Sequence, residues 1–160
     1  MDQADFSLIY AEYKEMVWSL VSRFAYSLHD QEDIFQEVFL KIYNAISKFR
    51  GESSLKTWIY KVTTTTAITA VNKRKKHKNL IETLSFLKII EPNEPVDSNQ
   101  NDISLLNALN PQQKMIIILS DIEDKTLNEI SEIMNIPLGT VKSNLHRARD
   151  VLKKELSKNG

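Results

Sequence analysis

Apolar side chains at Phe6, Ile9, Tyr13, Met16, Leu20 and Phe24 recur every three or four positions with polar residues between them. That is the period of a helix with one buried stripe. The spacing predicts a first amphipathic helix there and a second on Ile34, Val38, Ile42, Ile46 and Phe49. Asp30 is placed to cap the second helix, with Asp33 in its first turn. The stretch "FRGESS", residues 49–54, breaks the pattern with a glycine and two serines, and a third helix restarts near Ser54, running through "LKTWIYKV" towards a basic end. The run of threonines at 63–66 lies inside that helix. β-branched side chains lose rotamer freedom in a helix, so a strand competes here. Helix is the expectation, because Trp58, Val62, Thr69 and Asn72 continue helical stripes and no partner strand is evident.

From 91 to 102, "EPNEPVDSNQND" has two prolines, several acids and no apolar period, the marks of a linker. A second helical unit follows it, opening with a short segment around 105–109. Asn110, Pro111 and Gln113 then give a full helix start: N-cap, proline at the first position and the return partner of a capping box. Thr126 and Glu129 repeat the capping-box pattern ahead of "TLNEISEIM". Next come the tight connection "NIPLG" and a last helix from about 137 to 154. In it Leu138, Val141, Leu145, Ala148 and Leu152 form a buried stripe, while Lys142, Ser143, His146, Arg147 and Arg149 fall largely on the other side. Two helices of these lengths around a tight turn have the form of a helix-turn-helix. A basic face alone is also what a solvated surface looks like; the capped helix and turn before it favour a major-groove reader, where Arg and Lys bridge guanine O6 and N7. The expected fold is therefore all-α: two small helical domains, 1–78 and 105–160, joined by a flexible acidic linker at 79–104.

Composition narrows the function. The 160-residue chain has no cysteine, which excludes disulfides and thiolate chemistry and fits a reducing compartment. Its beginning lacks the bases of a signal peptide, and no apolar run approaches a membrane span, so a soluble cytoplasmic protein without membrane insertion is expected. There is no phosphate-cradling glycine loop, no metal-ligand cluster and no nucleophile-base pair, and the three histidines, His29, His77 and His146, are far apart. Neither catalytic residues nor a metal or cofactor is expected, and an enzyme is disfavoured. Formal charge sums to zero but is segregated: residues 51–78 hold seven Lys/Arg against one Asp/Glu, and residues 79–104 one against five. Separate surfaces for separate partners follow, one of them polyanionic.

The segments "DQEDIFQEVFLKIYNAISKFRGESSLKTWIYKV", from Asp30, and "LNPQQKMIIILSDIEDKTLNEISEIMNIPLGTVKSNLHRARDVLKK", from Leu109, resemble regions 2 and 4 of the extracytoplasmic-function (ECF) sigma factors, small bacterial subunits that direct RNA polymerase to promoters. The resemblance implies promoter-specific initiation, with core polymerase (clamp helices of the largest subunit, flap of the second-largest), promoter DNA and an anti-sigma factor as partners. It assigns Asp33, Gln36, Glu37, Leu40 and Lys41 to the clamp helices, a face that by itself also suits a solvated helix. It assigns Phe49, Ser53, Ser54, Lys56, Lys61, Thr65, Lys73 and Arg74 to the melted minus-10 strand, with Lys75 and Lys76 extending the basic track. Capturing an unstacked base needs a small polar pocket with an apolar wall, and the displaced backbone needs cations. Trp58 and Tyr60, in the same helix, suit the core better than a stacking platform. Lys142, Ser143, His146 and Arg147 match minus-35 contacts, with Arg149 and Lys153 nearer phosphate or solvent. Two positions depart from the family pattern. Thr65 stands where many relatives have asparagine, and one hydroxyl replaces an amide that both donates and accepts. Asp124 stands where glycine is common, in a turn that Asp tolerates. The rival functions are a two-component output domain with a similar helix-turn-helix and a helical adaptor that binds only protein.

Overall fold

The computed structural model of the chain describes residues 3–88 and 104–158, and among them every regular element is helical. The first unit is α1 (Gln3–Phe24), α2 (Leu28–Ala45), a 3₁₀ turn at Ile46–Lys48 and α3 (Leu55–Phe86). The second is α4 (Ser104–Asn107), α5 (Pro111–Ile117), α6 (Leu127–Met134) and α7 (Leu138–Lys158).

Helix starts follow short polar side chains. Ser54 caps α3, its hydroxyl accepting from the Thr57 N–H at 3.1 Å. Asn110 and Thr126 form complete capping boxes with Gln113 and Glu129. The start of α2 differs from expectation. Ser27, not Asp30, is its cap, accepting from the Asp30 N–H at 3.1 Å. Asp30 lies one turn further in, 4 % exposed, with its carboxylate turned inward onto Arg74 of α3. A carboxylate engaged across the fold is not free to cap its own helix. The threonine run is helical, as expected.

α3 also runs past the expected domain limit at 78, as far as Phe86. Leu80, Ile81 and Leu84 keep the helical pattern going, and no proline intervenes before Pro92. The core of the expected linker, 91–102, lies outside the described residues.

α5 does not end cleanly. Ile118–Ile122 widens into a π-helical turn, closed by Glu123 N–H to Ile118 C=O at 2.9 Å. Asp124 then takes a left-handed conformation (φ 54°), as does Asn135 (φ 52°) after α6. Both are residue types that visit this region at low cost.

In the first unit Val17, Leu20, Phe24, Val38, Ile42 and Ile59 are buried; in the second, Met115, Ile116, Ile118, Leu119, Ile130, Val141 and Ala148. The units also pack directly on each other. α3, which carries α1 and α2 on one side, lies against α5 and α6 on another. Lys114 of α5 is fully buried in this contact. Its Nζ donates to the Phe24 carbonyl at 2.7 Å and to Asn107 Oδ1 at 3.0 Å, and stands 3.8 Å from the centre of the Tyr26 ring. Burial first, and then the charge of Lys75, lower its pKa to about 8.

The capping box at Thr126 sets where α6 begins. Thr126→Ala should lower unfolding stability by about 1 kcal/mol in urea titration, whereas Thr126→Asn, which keeps an acceptor, should stay near wild type.

Candidate nucleic-acid and partner-docking surfaces

The second helix of the helix-turn-helix is positioned by its buried side. Val141, Leu145 and Ala148 enter the core, with Leu138 and Leu152 half-buried, so the opposite side must face water. Asn144, unforeseen in the sequence, is also buried, its amide donating to the Thr140 carbonyl at 2.9 Å. Lys142, Ser143, His146, Arg147 and Arg149 are all exposed. They are not equally free. His146 Nε2 stands 3.4 Å from Asp150, and Arg149 bonds Asp121 at 3.0 Å, tying its guanidinium to the end of the π-helical turn. Lys142 and Arg147 have no ion-pair partner among the described residues. These two are the uncommitted cations, set in a row that a major groove admits.

In the first unit the exposed side of α2 carries Asp33, Gln36, Glu37, Leu40 and Lys41. Asp33 pairs with His29 at 3.2 Å and Glu37 with Lys41 at 3.4 Å, both within the helix. Leu40 is 61 % exposed, and Tyr43, one turn on, is 49 % exposed. Tyr43 ends an aromatic ladder between α1 and α2. Its ring is 5.2 Å from Phe6; Tyr10 is 4.8 Å from Phe39; Phe35 is 5.0 Å from Phe39 and 5.2 Å from Trp18. The sequence reading missed Tyr10, Trp18 and Tyr43 as surface residues. A signal was present: ten of the thirteen aromatic residues fall in the first 50 positions, more than two helical stripes bury.

The loop before α3 brings Phe49, Ser53 and Ser54 together. Gly51 (φ 74°) makes the turn, and Phe49 is half-buried with its ring 5.4 Å from Trp58, so the pair forms one apolar wall. The Ser54 hydroxyl is spent on its cap, accepting from Thr57 N–H and donating to Thr57 Oγ1 at 2.9 Å. Ser53 Oγ makes only a long bond, 3.3 Å, to the Ser54 carbonyl. Of the two serines it is Ser53 that can turn to a new acceptor or donor. Lys56 is exposed close by.

Further along α3 the candidates separate. Lys61 is half-buried and 3.9 Å from Glu132 of α6. Thr65 is exposed but lines a cleft of about 480 Å³ whose far side is Asn110, Pro111 and Met134 of the second unit. Lys73, Lys75 and Lys76 point into solvent on the projecting part of α3. Arg74 is turned onto Asp30. Tyr60 is buried, as expected of a core residue, and its hydroxyl donates to Glu123 at 3.2 Å; burial and that carboxylate raise its pKa to about 12. No group of three or more metal-ligating side chains occurs among the described residues, and no helix there is long and apolar enough to cross a membrane.

Comparison with known proteins matches this division. Residues 9–77 match sigma-70 region 2 and residues 103–152 match sigma-70 region 4. The ECF RNA polymerase sigma factor SigW of Bacillus subtilis is 31 % identical across 97 % of this chain and 90 % of its own length. The ECF RNA polymerase sigma-E factor of Escherichia coli is 33 % identical across 94 % of this chain and 86 % of its own. Among solved structures, the sigma factor RpoE of Bartonella quintana, crystallised with the anti-sigma factor NepR, shares the fold at a TM-score of 0.71 with 21 % identity, covering 96 % of this chain and 97 % of that one.

Arg74 and its neighbour Lys73 should separate structural from DNA-facing charge. Arg74→Ala strips the partner from a buried carboxylate and should lower stability by about 1–3 kcal/mol. Lys73→Ala should change stability by less than about 0.5 kcal/mol. If Lys73 meets a phosphate, its loss also flattens the salt dependence of single-strand binding by about 0.7 in the log–log slope.

Proposed function

This chain belongs to the sigma-70 family, among the ECF sigma factors, and on that footing we propose how its surfaces divide the work of starting transcription at a promoter. It binds core RNA polymerase and directs promoter-specific initiation. The observation that carries the assignment is the ordered pair of regions 2 and 4 on two packed helical units, with a recognition helix that leaves Lys142 and Arg147 unpaired.

Lys142, Ser143, His146 and Arg147 read the minus-35 duplex through the major groove. Lysine and arginine supply donors to guanine O6 and N7, and Ser143 and His146 add adjustable polar contacts. Arg149, held by Asp121, meets phosphate rather than bases.

Region 2 takes the melted minus-10 strand. Phe49 and Trp58 give a flipped base its apolar wall, Ser53 its polar contact, and Lys56, Lys61 and Lys73 hold the backbone. Arg74 shapes this surface through Asp30. Thr65, with one hydroxyl, gives a looser base preference than an asparagine would. Melting needs no bond chemistry: the unit binds the open strand in preference to the duplex and so shifts an existing equilibrium. The protein acts by binding, without catalysis of its own.

On α2, Asp33, Gln36, Glu37, Leu40 and Lys41 dock the clamp helices of the largest polymerase subunit, and Leu40 with Tyr43 supplies the apolar centre of that contact. Region 4 sits on the flap of the second-largest subunit. The work is done in the cytoplasm, where polymerase is. An anti-sigma protein covering these faces is the expected regulator, since the B. quintana relative in fold is solved with one.

Run-off transcription with purified core polymerase tests the whole assignment. Initiation should start only from templates carrying the cognate promoter. Lys142→Ala with Arg147→Ala should abolish dependence on the minus-35 element, at about 1–3 kcal/mol per lost base contact, while pull-down of core polymerase is unchanged. Absence of promoter-specific product with the wild-type chain would overturn the assignment.

A further inference from the structure

We propose that Asp121 is a positioning residue for minus-35 recognition: by holding the Arg149 guanidinium, it restricts that cation to a phosphate in one register of α7 on DNA. The inference rests on the assignment of α7 to the minus-35 duplex.

The place of Arg149 along α7 is the first step. It follows Lys142 by seven residues, about two turns, so both lie on the same side of the helix. That side borders the buried stripe of Val141, Leu145 and Ala148. A helix seated in the major groove turns its middle to base edges and its flanks to the phosphate walls. Arg149 stands on such a flank.

Asp121 gives that arginine one direction. Its carboxylate accepts from Arg149 Nη2 at 3.0 Å, with both side chains half-exposed. Asp121 itself is placed by the π-helical turn. Ile118 and Leu119 of that turn are fully buried, and it closes through Glu123 N–H to Ile118 C=O at 2.9 Å and Lys125 N–H to Leu119 C=O at 2.8 Å. Wide turns of this kind recur at functional sites. The anchor therefore belongs to the core of the unit and not to the helix that it steers. His146 differs, since its acid, Asp150, lies on α7 and moves with it. Within the exposed row, among the described residues, Arg149 alone takes an ion-pair partner from another element.

A held and a free arginine act differently on DNA. A guanidinium has five donors, so one bond to Asp121 leaves others for a phosphate. Phosphate contacts set the register of a protein on the duplex. Held in one place, Arg149 completes such a contact only when α7 is seated so that a phosphate meets it. Released, the same side chain follows the backbone and finds phosphates in every register, which strengthens binding to wrong sequences most. The carboxylate also offsets the charge of Arg149 and weakens its pull on phosphates out of register. A half-exposed pair adds little to stability, so discrimination rather than folding is what this one supports.

Selection with the holoenzyme tests this. The full chain and its variants, each assembled with core polymerase, are mixed with a pool of duplexes carrying a randomised upstream element. Sequencing the bound fraction gives the enrichment of the preferred element, and a salt series gives the slope of binding. Asp121→Ala should bind non-preferred duplexes more tightly, with a log–log slope steeper by about 0.9, and its enrichment should fall by about threefold or more. Asp121→Glu, which keeps a carboxylate, should stay near wild type. A carboxylate that merely repels DNA would, once removed, strengthen binding to every duplex equally and leave enrichment unchanged; that result overturns the inference. In an Arg149→Ala background, Asp121→Ala should leave enrichment where Arg149→Ala alone puts it. A further fall there shows Asp121 acting without Arg149 and overturns the inference as well. Thermal unfolding of Asp121→Ala should match wild type; if it is lowered, Asp121→Asn, which keeps the shape and loses the charge, carries the same expectation in smaller measure. If the wild-type holoenzyme enriches no element, the minus-35 assignment itself fails. If it enriches one and Asp121→Ala enriches it equally, only the role of Asp121 fails.

Discussion

One helix has to be buried by two neighbours at once, and the middle of α3 is built for it. On one side it receives α1 and α2, on the other α5 and α6. Thr63, Thr64 and Thr66 are buried there, with Tyr60, Ala67 and Val71. Threonine has the width of valine, so backbones approach closely. The hydroxyl of Thr63 returns to the Ile59 carbonyl at 2.7 Å and that of Thr64 to the Lys61 carbonyl at 3.2 Å, so two of the three polar groups bring their partners with them. The poor helix propensity of the run is outweighed by burial on two sides, the usual outcome when tertiary packing competes with tenths of a kcal/mol per residue.

Features set by neighbours in sequence were legible in the sequence. The capping boxes at Asn110 and Thr126, the start of α3 near Ser54, the left-handed Asp124 and the exposed row on α7 each depend on a few adjacent positions. Asp30 shows where that logic stops. Its type and place fitted a cap, but its partner, Arg74, lies more than forty residues away, and Ser27 took the role instead. α3 carries on past the basic run to Phe86, because a helix continues through lysines until a proline or glycine stops it.

Lys114 is harder to foresee. In "NPQQKMIIILS" a lone cation among glutamines reads as a solvent-facing residue. Its main partner is a backbone carbonyl, which has no sequence signature, on a helix of the other unit. The same limit applies to the candidate site. Periodicity told which cations face outward, but not which are already spent: Arg74 on Asp30, Arg149 on Asp121 and Lys61 near Glu132 each have a carboxylate partner from another element. Only the structure separates these from Lys142 and Arg147.

That separation bears on how a chain of zero net charge acts on a polyanion. Non-specific DNA affinity scales with the number of phosphates neutralised, and every cation paired internally is one fewer. Arg74, Arg149 and Lys61 are spent on carboxylates of the same chain, which leaves fewer cations for phosphate, while Lys142 and Arg147 stay unpaired on the exposed row of α7. Affinity then has to come from the polymerase, which holds both units near the same promoter and makes the second contact intramolecular once the first has formed. A sigma factor that bound DNA strongly by itself would occupy promoters without enzyme. Each cation paired within the chain is one contact fewer for DNA in the absence of enzyme, which favours occupancy that depends on the polymerase.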